Sequence, residues 1–461
     1  MSRLLGAEAP AFLAALDGEP VHGLRVNTLK ISAEDFRAIS PLPLGERIPW
    51  ADSAFLLASQ ERLGRHPYHL AGLFYLQDPS AMAPAKLLDP QPGERVLDLS
   101  AAPGGKTTQL AALMQGGGLL VANEIKDKRI GHLAQNVERW GAGNVVITNE
   151  TPERLADHFG PFFDRVLVDA PCSGEGMFRK DMGARLDWSP EMVAGCAVRQ
   201  NNILRVAAKL VRPGGHLLYS TCTFAPEENE IVILKLLDAF PEYAVEALPE
   251  FPGFQRGRPD WAGPGPQPAG RLESLAGARR LFPHRVTGDG HFVCRLQRGA
   301  DIPPQHAWID RGPERVASLH EMNREEIGLW SSFAEQVLAA DFPADRLRVR
   351  GERLYLVAEA LPEFGNLRLV HPGVWFGNFK KDRFEPAHPL ALHLRKVQTR
   401  RVLDLSAGSR ELAAYLRGET LACEGTPGWT LVCADGWPLG WGKSVQGRLK
   451  NHYPRGWQNY S

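Results

Sequence analysis

Between Glu94 and Phe240 the chain alternates short apolar runs with helical stretches, and this alternation limits its fold more than any other feature. Arg95–Leu99, Leu119–Asn123, Asn144–Thr148, Asp164–Asp169 and Gly215–Ser220 read as strands. Gly105 to about Met114, Lys126–Trp140, Ser189 to about Val211 and Pro226–Phe240 read as helices. Ser189-Pro190-Glu191 has the form of a helix start, with a serine cap and a proline in the first turn. Parallel strands need crossover connections, so the pattern predicts an α/β fold: a mostly parallel sheet with helices on both faces. Open sheets of this kind bind ligands just beyond the carboxyl ends of their strands.

A chain of 461 residues exceeds one ordinary core and predicts two to four domains. The expected units are an N-terminal accessory region over 1–90, the alternating domain over 91–298, a first C-terminal accessory domain over 299–400 and a last domain over 401–461. The first of these carries a short helix and a strand at Gly23–Lys30, giving it an α+β character. Residues 251–270 are dense in Gly and Pro and read as a surface loop, His291–Leu296 as a further strand, and Asp301–Pro304 as a boundary.

The sequence RVLDLSA occurs twice, at 95–101 and 401–407. The first copy runs into APGGKTT and the second into GSRELAAY. In the second, Ser409 can cap a helix that Gly418 stops, and no Gly-Gly pair follows the strand. That copy reads as a structural strand-into-helix turn, with Asp404 a turn or surface residue.

Composition narrows the function classes. The 44% hydrophobic content argues against long disorder. Met1–Pro10 lacks the order of a signal peptide, and no apolar run approaches the roughly 18 residues of a membrane helix. The six cysteines include no C-x-x-C pair and form no disulfide framework, so neither a metal site nor an oxidising compartment is expected. The expectation is a cytoplasmic monomer without a membrane partner. Formal charge is zero, which disfavours a simple nucleic-acid coat. Charge is nevertheless sorted along the chain. Lys380–Arg401 holds seven Lys/Arg against Asp382 and Glu385, and reads as a solvated surface. Gly440–Ser461 holds Lys443, Arg448, Lys450 and Arg455, no acid, and the aromatics Trp441, Tyr453, Trp457 and Tyr460. That set suits either phosphate contact with base stacking or ordinary core aromatics under a basic surface.

In the first copy a strand ends in Asp98, small residues follow, and a helix opens at Gly104-Gly105. Small residues let a ligand approach the backbone, and the helix start offers free N–H groups. A phosphate loop requires G-x-x-x-x-G-K-[ST]. Gly105-Lys106-Thr107 match its end, but Ser100 stands at the first glycine and Pro103 removes a donor. Asp98 would also repel a polyphosphate. It suits S-adenosylmethionine, which carries a sulfonium and an ammonium group and no phosphate. Glu124 ends the second strand, where an acid can bond a ribose diol. The plainer alternative is that both acids only cap helices.

Cys172 follows the fourth strand in Asp169-Ala170-Pro171-Cys172, and Cys222 follows the fifth in Ser220-Thr221-Cys222. One cysteine there would be unremarked core; two in equivalent turns, one beside Asp169, suggest chemistry. Cytosine C5 cannot take a methyl group unaided. A thiolate adding to C6 pushes electrons onto C5, and a hydrogen bond or proton to N3 from an acid stabilises the developing charge. Lys106 opposes the dipole of the helix start where it sits, and so needs another reason to be there, or is simply solvent-exposed.

DLSAAPGGKTT at 98–108, NE at 123–124, DAPCSGEGMFRK at 169–180 and STCTFAPEENE at 220–230, with LQDPSAM at 76–82 and GDGHF at 288–292, resemble the RNA cytosine-C5 methyltransferase family, in a branch acting on small-subunit ribosomal RNA. The resemblance covers about residues 1–298. It extends more loosely to DGWPLGWGK at 435–443 and KNHYP at 450–454, which look like a PUA-like RNA-binding domain. It implies a Rossmann-like domain using S-adenosylmethionine, with ribosomal RNA of the small subunit as partner. Cys222 would then be the nucleophile and Cys172 the release residue, an order that the residues alone leave open. Asp169 would hold the cytosine edge and lie near the cofactor. Ala101, Ala102, Pro103, Gly104, Gly105, Lys106 and Thr107 would wrap the methionine moiety, Glu124 the ribose, and Arg129 would lie nearby. At the acid that commonly meets the adenine, Thr151 aligns best here, and Asn149, Glu150 or a backbone group can serve instead. Two other classes compete: a catalytically silent RNA-binding assembly factor, which retention of Cys172, Asp169, Lys106 and Cys222 opposes, and a P-loop hydrolase, which Ser100 opposes.

Overall fold

The computed structural model of the chain describes residues 1–58, 63–263, 270–300 and 319–458. The proposed boundary at Asp301–Pro304, residues 264–269 of the Gly/Pro-rich stretch, and Tyr460 lie outside them. Among the described residues no helix is long and apolar enough to cross a membrane.

Five parallel strands form the centre of a ten-stranded sheet: β1 (Arg95–Asp98), β2 (Leu119–Asn123), β3 (Val145–Thr148), β4 (Phe163–Asp169) and β5 (Val211–Thr221). They lie in the order β3-β2-β1-β4-β5. His291–Arg298 adds antiparallel to β5 at one side, and Leu369–His371 adds antiparallel to β3 at the other. Alternation along each strand sorts the core. Leu97, Val121 and Val166 face one buried cluster and Val96, Leu120 and Leu167 the other, as a doubly covered sheet requires. The helices that connect the five strands include α1 (Gly105–Leu113), α2 (Asp127–Trp140), α3 (Pro152–Phe159) and α4 (Pro190–Leu210), and α5 (Glu230–Ala239) follows β5. Ser189 caps α4, its hydroxyl accepting from Met192 N at 3.2 Å, with Pro190 in the first turn. The predicted helix at Pro226 begins instead as one 3-10 turn, Pro226–Glu228, before α5.

The predicted strand Gly23–Lys30 is shorter, Gly23–Val26, and turns at Asn27. It joins a four-stranded antiparallel sheet that docks on α1. Buried Arg25 makes that joint: Nη2 donates to Gly105 O and to Thr108 Oγ1, both at 2.8 Å. Farther along, Leu347–Arg350, Arg353–Val357, Gly373–Lys380 and Arg383–Pro386 form an antiparallel sheet, and five short strands from Val402 to Asn451 form a mixed one, Val402–Leu405 pairing parallel with Gly428–Ala434. The second RVLDLSA copy behaves as read. Val402–Leu405 is a strand, Ser409 caps the helix Arg410–Leu416, and exposed Asp404 accepts from Lys396 Nζ at 2.6 Å and Gly436 N at 2.8 Å. Trp441 and Tyr453 are core side chains, so these two are not a stacking surface.

Candidate active site

The ends of β1, β2, β4 and β5 converge on one edge of the sheet, because parallel register sets Asp98 beside Ala122 and Asp169 beside Ser220. Asp98 is buried. Its Oδ2 accepts from Thr107 Oγ1 at 2.7 Å, while Oδ1 has no hydrogen-bond partner among the described residues. Burial first, and the nearby Asp169 charge second, push its pKa up to about 7. The turn after it is tight. Ala101 N donates to Asn123 O at 2.8 Å, and Gly104 takes φ 112°, a left-handed conformation that favours glycine.

Glu124 sits at the end of β2, buried, with Oε1 accepting from Lys126 N at 2.9 Å. Its Oε2 lies 3.2 Å from Arg129 Nη1 but outside hydrogen-bonding geometry. Arg129 Nη2 donates to Ala102 O, tying the Ala101–Gly104 turn to α2. The turn after β3 departs from the alignment. Thr151 Oγ1 accepts from Arg154 N at 3.3 Å and caps α3, so it is a helix residue. Glu150 is engaged by Arg154 Nε at 2.7 Å and by the backbone N–H of Arg368 at 2.6 Å. Asn149 Nδ2 donates to Glu124 O at 2.6 Å. The C-terminal half of the chain therefore supports this turn, through Asn366–His371.

Two buried oxygens lacking hydrogen bonds, Asp98 Oδ1 and Glu124 Oε2, border a glycine turn at a helix start. A ligand with cationic groups and a ribose diol fits this donor and acceptor set, as S-adenosylmethionine requires.

Lys106 and Asp169 form an ion pair, Nζ to Oδ2 at 2.7 Å, and Ser220 Oγ donates to Asp169 Oδ1 at 2.7 Å. Burial opposes the charge of Lys106, but Asp169 outweighs it and Cys222 and Asp98 add to it, so its pKa is raised. Burial likewise opposes the Asp169 carboxylate and is outweighed by Lys106 and His291, so its pKa is lowered. Asp169 is thus an ionised acceptor.

Cys172 Sγ lies 3.3 Å from Cys222 Sγ. Their turns are stapled by two carboxylates that the sequence motifs do not single out. Glu228 Oε2 accepts from Ser173 N at 3.0 Å and Gln200 Nε2 at 2.6 Å, and Glu175 Oε2 accepts from Phe224 N at 2.8 Å and Thr223 Oγ1 at 3.1 Å. Gly176 N donates to Cys222 O at 2.8 Å, and a Cβ on Gly176 would lie 2.9 Å from that oxygen. The hydrogen bond with Cys222, then burial, hold the Cys172 thiol well above its ordinary pKa. Behind these turns Lys180 Nζ bridges Asp289 at 2.5 Å and Asp78 at 3.4 Å, joining the MFRK, GDGHF and LQDPSAM segments. Glu228 and Glu175 stood in plain text within motifs; their spacing alone gives no signal that they cross between turns.

All the cysteine, acid and lysine candidates therefore share one edge. Comparison with known proteins adds the following. The family described as 16S rRNA methyltransferase RsmB/F matches residues 85–297. The N-terminal domain of 16S rRNA methyltransferase RsmF matches 1–79, the RsmF rRNA methyltransferase first C-terminal domain 332–394, and the methyltransferase RsmF PUA domain 402–458. A ribosomal RNA small subunit methyltransferase F of Klebsiella pneumoniae (strain 342) is 34% identical over 462 residues, covering 96% of this chain and 91% of that protein. One of Shewanella sp. (strain W3-18-1) is 33% identical over 466 residues, covering 96% and 92%. The crystal structure of a methyltransferase homolog protein from Pyrococcus horikoshii superposes with a TM-score of 0.56 at 32% identity, over 64% of this chain and 91% of that one.

Proposed function

The chain belongs to the RNA cytosine-C5 methyltransferase family, in the branch of ribosomal RNA small subunit methyltransferase F, and from this premise we propose that it methylates C5 of cytidine in small-subunit (16S) ribosomal RNA through a covalent bond between Cys222 and C6. The observation that carries the reading is the 3.3 Å approach of two thiols beside the Lys106–Asp169 pair.

S-adenosylmethionine, when bound, would supply the methyl group and leave as S-adenosylhomocysteine. Asp98, the turn Ala101–Thr107, Glu124 and Arg129 are the residues that would hold it. For the adenine, Asn149 Oδ1 or the Thr151 hydroxyl hydrogen would serve, since Asn149 is engaged only through Nδ2, Thr151 only accepts, and Glu150 is engaged on both oxygens.

A cytidine splayed out of its helix would meet Asp169, which, being ionised, accepts from the exocyclic amine. Lys106 Nζ, held by Asp169, would donate the hydrogen bond to N3 or the C2 oxygen. The Cys222 thiolate adds to C6, and the electron pair moves to C5, which becomes the nucleophile. After methylation the C5 proton leaves, the C5–C6 double bond re-forms, and the Cys222 sulfur is expelled with its electron pair. Cys172 suits this second half. A thiol held above its ordinary pKa is a poor nucleophile at neutral pH; bonding of Cys222 to C6 removes the first cause of that shift, so Cys172 would release its proton to solvent and then accept the one that leaves C5.

Incubating the protein with labelled S-adenosylmethionine and small subunits from cells lacking it tests the activity. Label recovered as 5-methylcytidine in 16S rRNA is the expected result. Label on another base or atom, or none with the protein bound, would overturn it.

A further inference from the structure

The antiparallel sheet of the first C-terminal region has two unlike faces. Leu347, Val349, Leu354, Leu356, Val374 and Phe376 pack into a core. The alternate positions carry Arg350, Arg353, Tyr355 and Trp375, and they line an open groove of about 780 Å³ with Arg368 and Lys380. Four of its lining residues are cations and one, Glu352, is an acid.

Three features set this groove apart from a solvated basic surface. Arg350 and Arg353 are direct cross-strand partners, and among the described residues neither has a carboxylate partner. Like charges opposite one another weaken a sheet, so this pair costs stability where an acid would remove the cost. The Arg353 guanidinium lies over the half-buried Trp375 ring, 4.9 Å from its centroid, so the sheet presents a flat cation backed by an aromatic. The two pairs that do reach acids, Arg368–Asp127 at 2.7 Å and Lys380–Glu352 at 3.0 Å, are solvent-exposed and exchangeable. The same field is felt by half-buried His371, whose pKa is pushed down to about 4 by burial first and then by Arg353 and Arg350.

We propose that this groove binds the sugar-phosphate backbone of the RNA substrate away from the catalytic edge, with Arg350 and Arg353 contacting phosphates and the Arg353–Trp375 stack supporting a base. The inference rests on RNA being the substrate. An RNA strand suits the groove better than an acidic protein segment: guanidinium groups bind phosphate and carboxylate alike, but the flat Arg353–Trp375 stack beside them matches a base and has no partner in a carboxylate side chain. The groove also adjoins the catalytic sheet: Arg368 N holds Glu150, and Asn149 N donates to Arg368 O at 3.0 Å. RNA seated here would bear on the segment that braces the turn beside Glu124.

The test compares the full-length parent with Arg350→Gln/Arg353→Gln, measuring binding to a naked 16S rRNA fragment across a salt series and binding of S-adenosylhomocysteine. About tenfold weaker RNA binding is expected at physiological salt, with the log–log salt slope shallower by about 1.5 to 2 and the S-adenosylhomocysteine affinity unchanged. Arg350→Lys/Arg353→Lys should restore most of the slope, since charge alone sets it. RNA binding and slope equal to the parent's would overturn the proposal. So would a loss confined to assembled subunits, which would mark a protein contact, or a matching fall in S-adenosylhomocysteine affinity, which would mark damage to the fold. If the parent binds rRNA yet transfers no methyl group, the proposed activity fails and the groove stands. If the parent methylates and the glutamine variant binds RNA equally well, the groove fails alone.

Discussion

The sulfur atoms of Cys172 and Cys222 lie 3.3 Å apart although 50 residues separate them, each in the turn after a parallel strand. Neighbouring parallel strands in register bring their carboxyl ends side by side, here Asp169 against Ser220, so residues three and two positions further on meet. Register gives the approach; two buried carboxylates, Glu228 and Glu175, fix it by binding backbone N–H groups of the opposite turn.

Glu228→Ala should therefore loosen the Cys172 turn. It leaves Ser173 N and Gln200 Nε2 without their shared acceptor in a buried setting, a loss of about 2–3 kcal/mol in urea unfolding. Glu228→Gln keeps an acceptor oxygen and should lose less than half as much. Equal losses would show that the negative charge, and not the hydrogen bonding, is what matters.

Lys106→Met removes one partner of a largely buried ion pair. About 1–3 kcal/mol of stability should be lost, after allowance for the part of Asp169 that solvent reaches. Without Lys106 the pKa of Asp169 should climb, so the acid limb of the pH–rate profile should move to higher pH. An unshifted limb would mean that Asp169 does not need Lys106 to stay ionised.

Asp98 links stability to the ligand. Its pKa in the fold, about 7, lies above that of an unfolded aspartate, so the folded state binds the extra proton between the two values. Stability contributed below the unfolded pKa is lost as pH rises through that window and is gone above about 7. Asp98→Asn keeps an acceptor for Thr107 and sheds the charge. The ligand-free variant should gain about 2 kcal/mol over the parent at pH 8, little at pH 4, and lose at least tenfold in S-adenosylhomocysteine affinity. Parallel pH–stability curves would contradict this reading of Asp98.

The sheet and its ligand edge were legible because strand and helix periods differ and the motifs end on strand boundaries. Arg95–Asp98, Leu119–Asn123 and the Ser189 cap all lie within a residue or two of the reading. Helix α3 lies outside the strand and helix pattern read from the sequence, although Thr151-Pro152-Glu153 has the same helix-start form as Ser189-Pro190-Glu191. Arg25, Glu175, Glu228 and the strand Leu369–His371 act across long sequence separations, which neither local pattern nor spacing encodes. For Trp441 and Tyr453 the sequence leaves a stacking surface and a core position both open, and burial of both side chains decides for the core.

The most direct test of the two-thiol site is a denaturing gel of Cys222→Ala and Cys172→Ala, each incubated with S-adenosylmethionine and small subunits lacking the modification. Cys172→Ala should accumulate a protein–RNA adduct that survives denaturation, and Cys222→Ala should form none and transfer no methyl group. An adduct with Cys222→Ala and none with Cys172→Ala would exchange the two roles, and full turnover by either variant would contradict the mechanism.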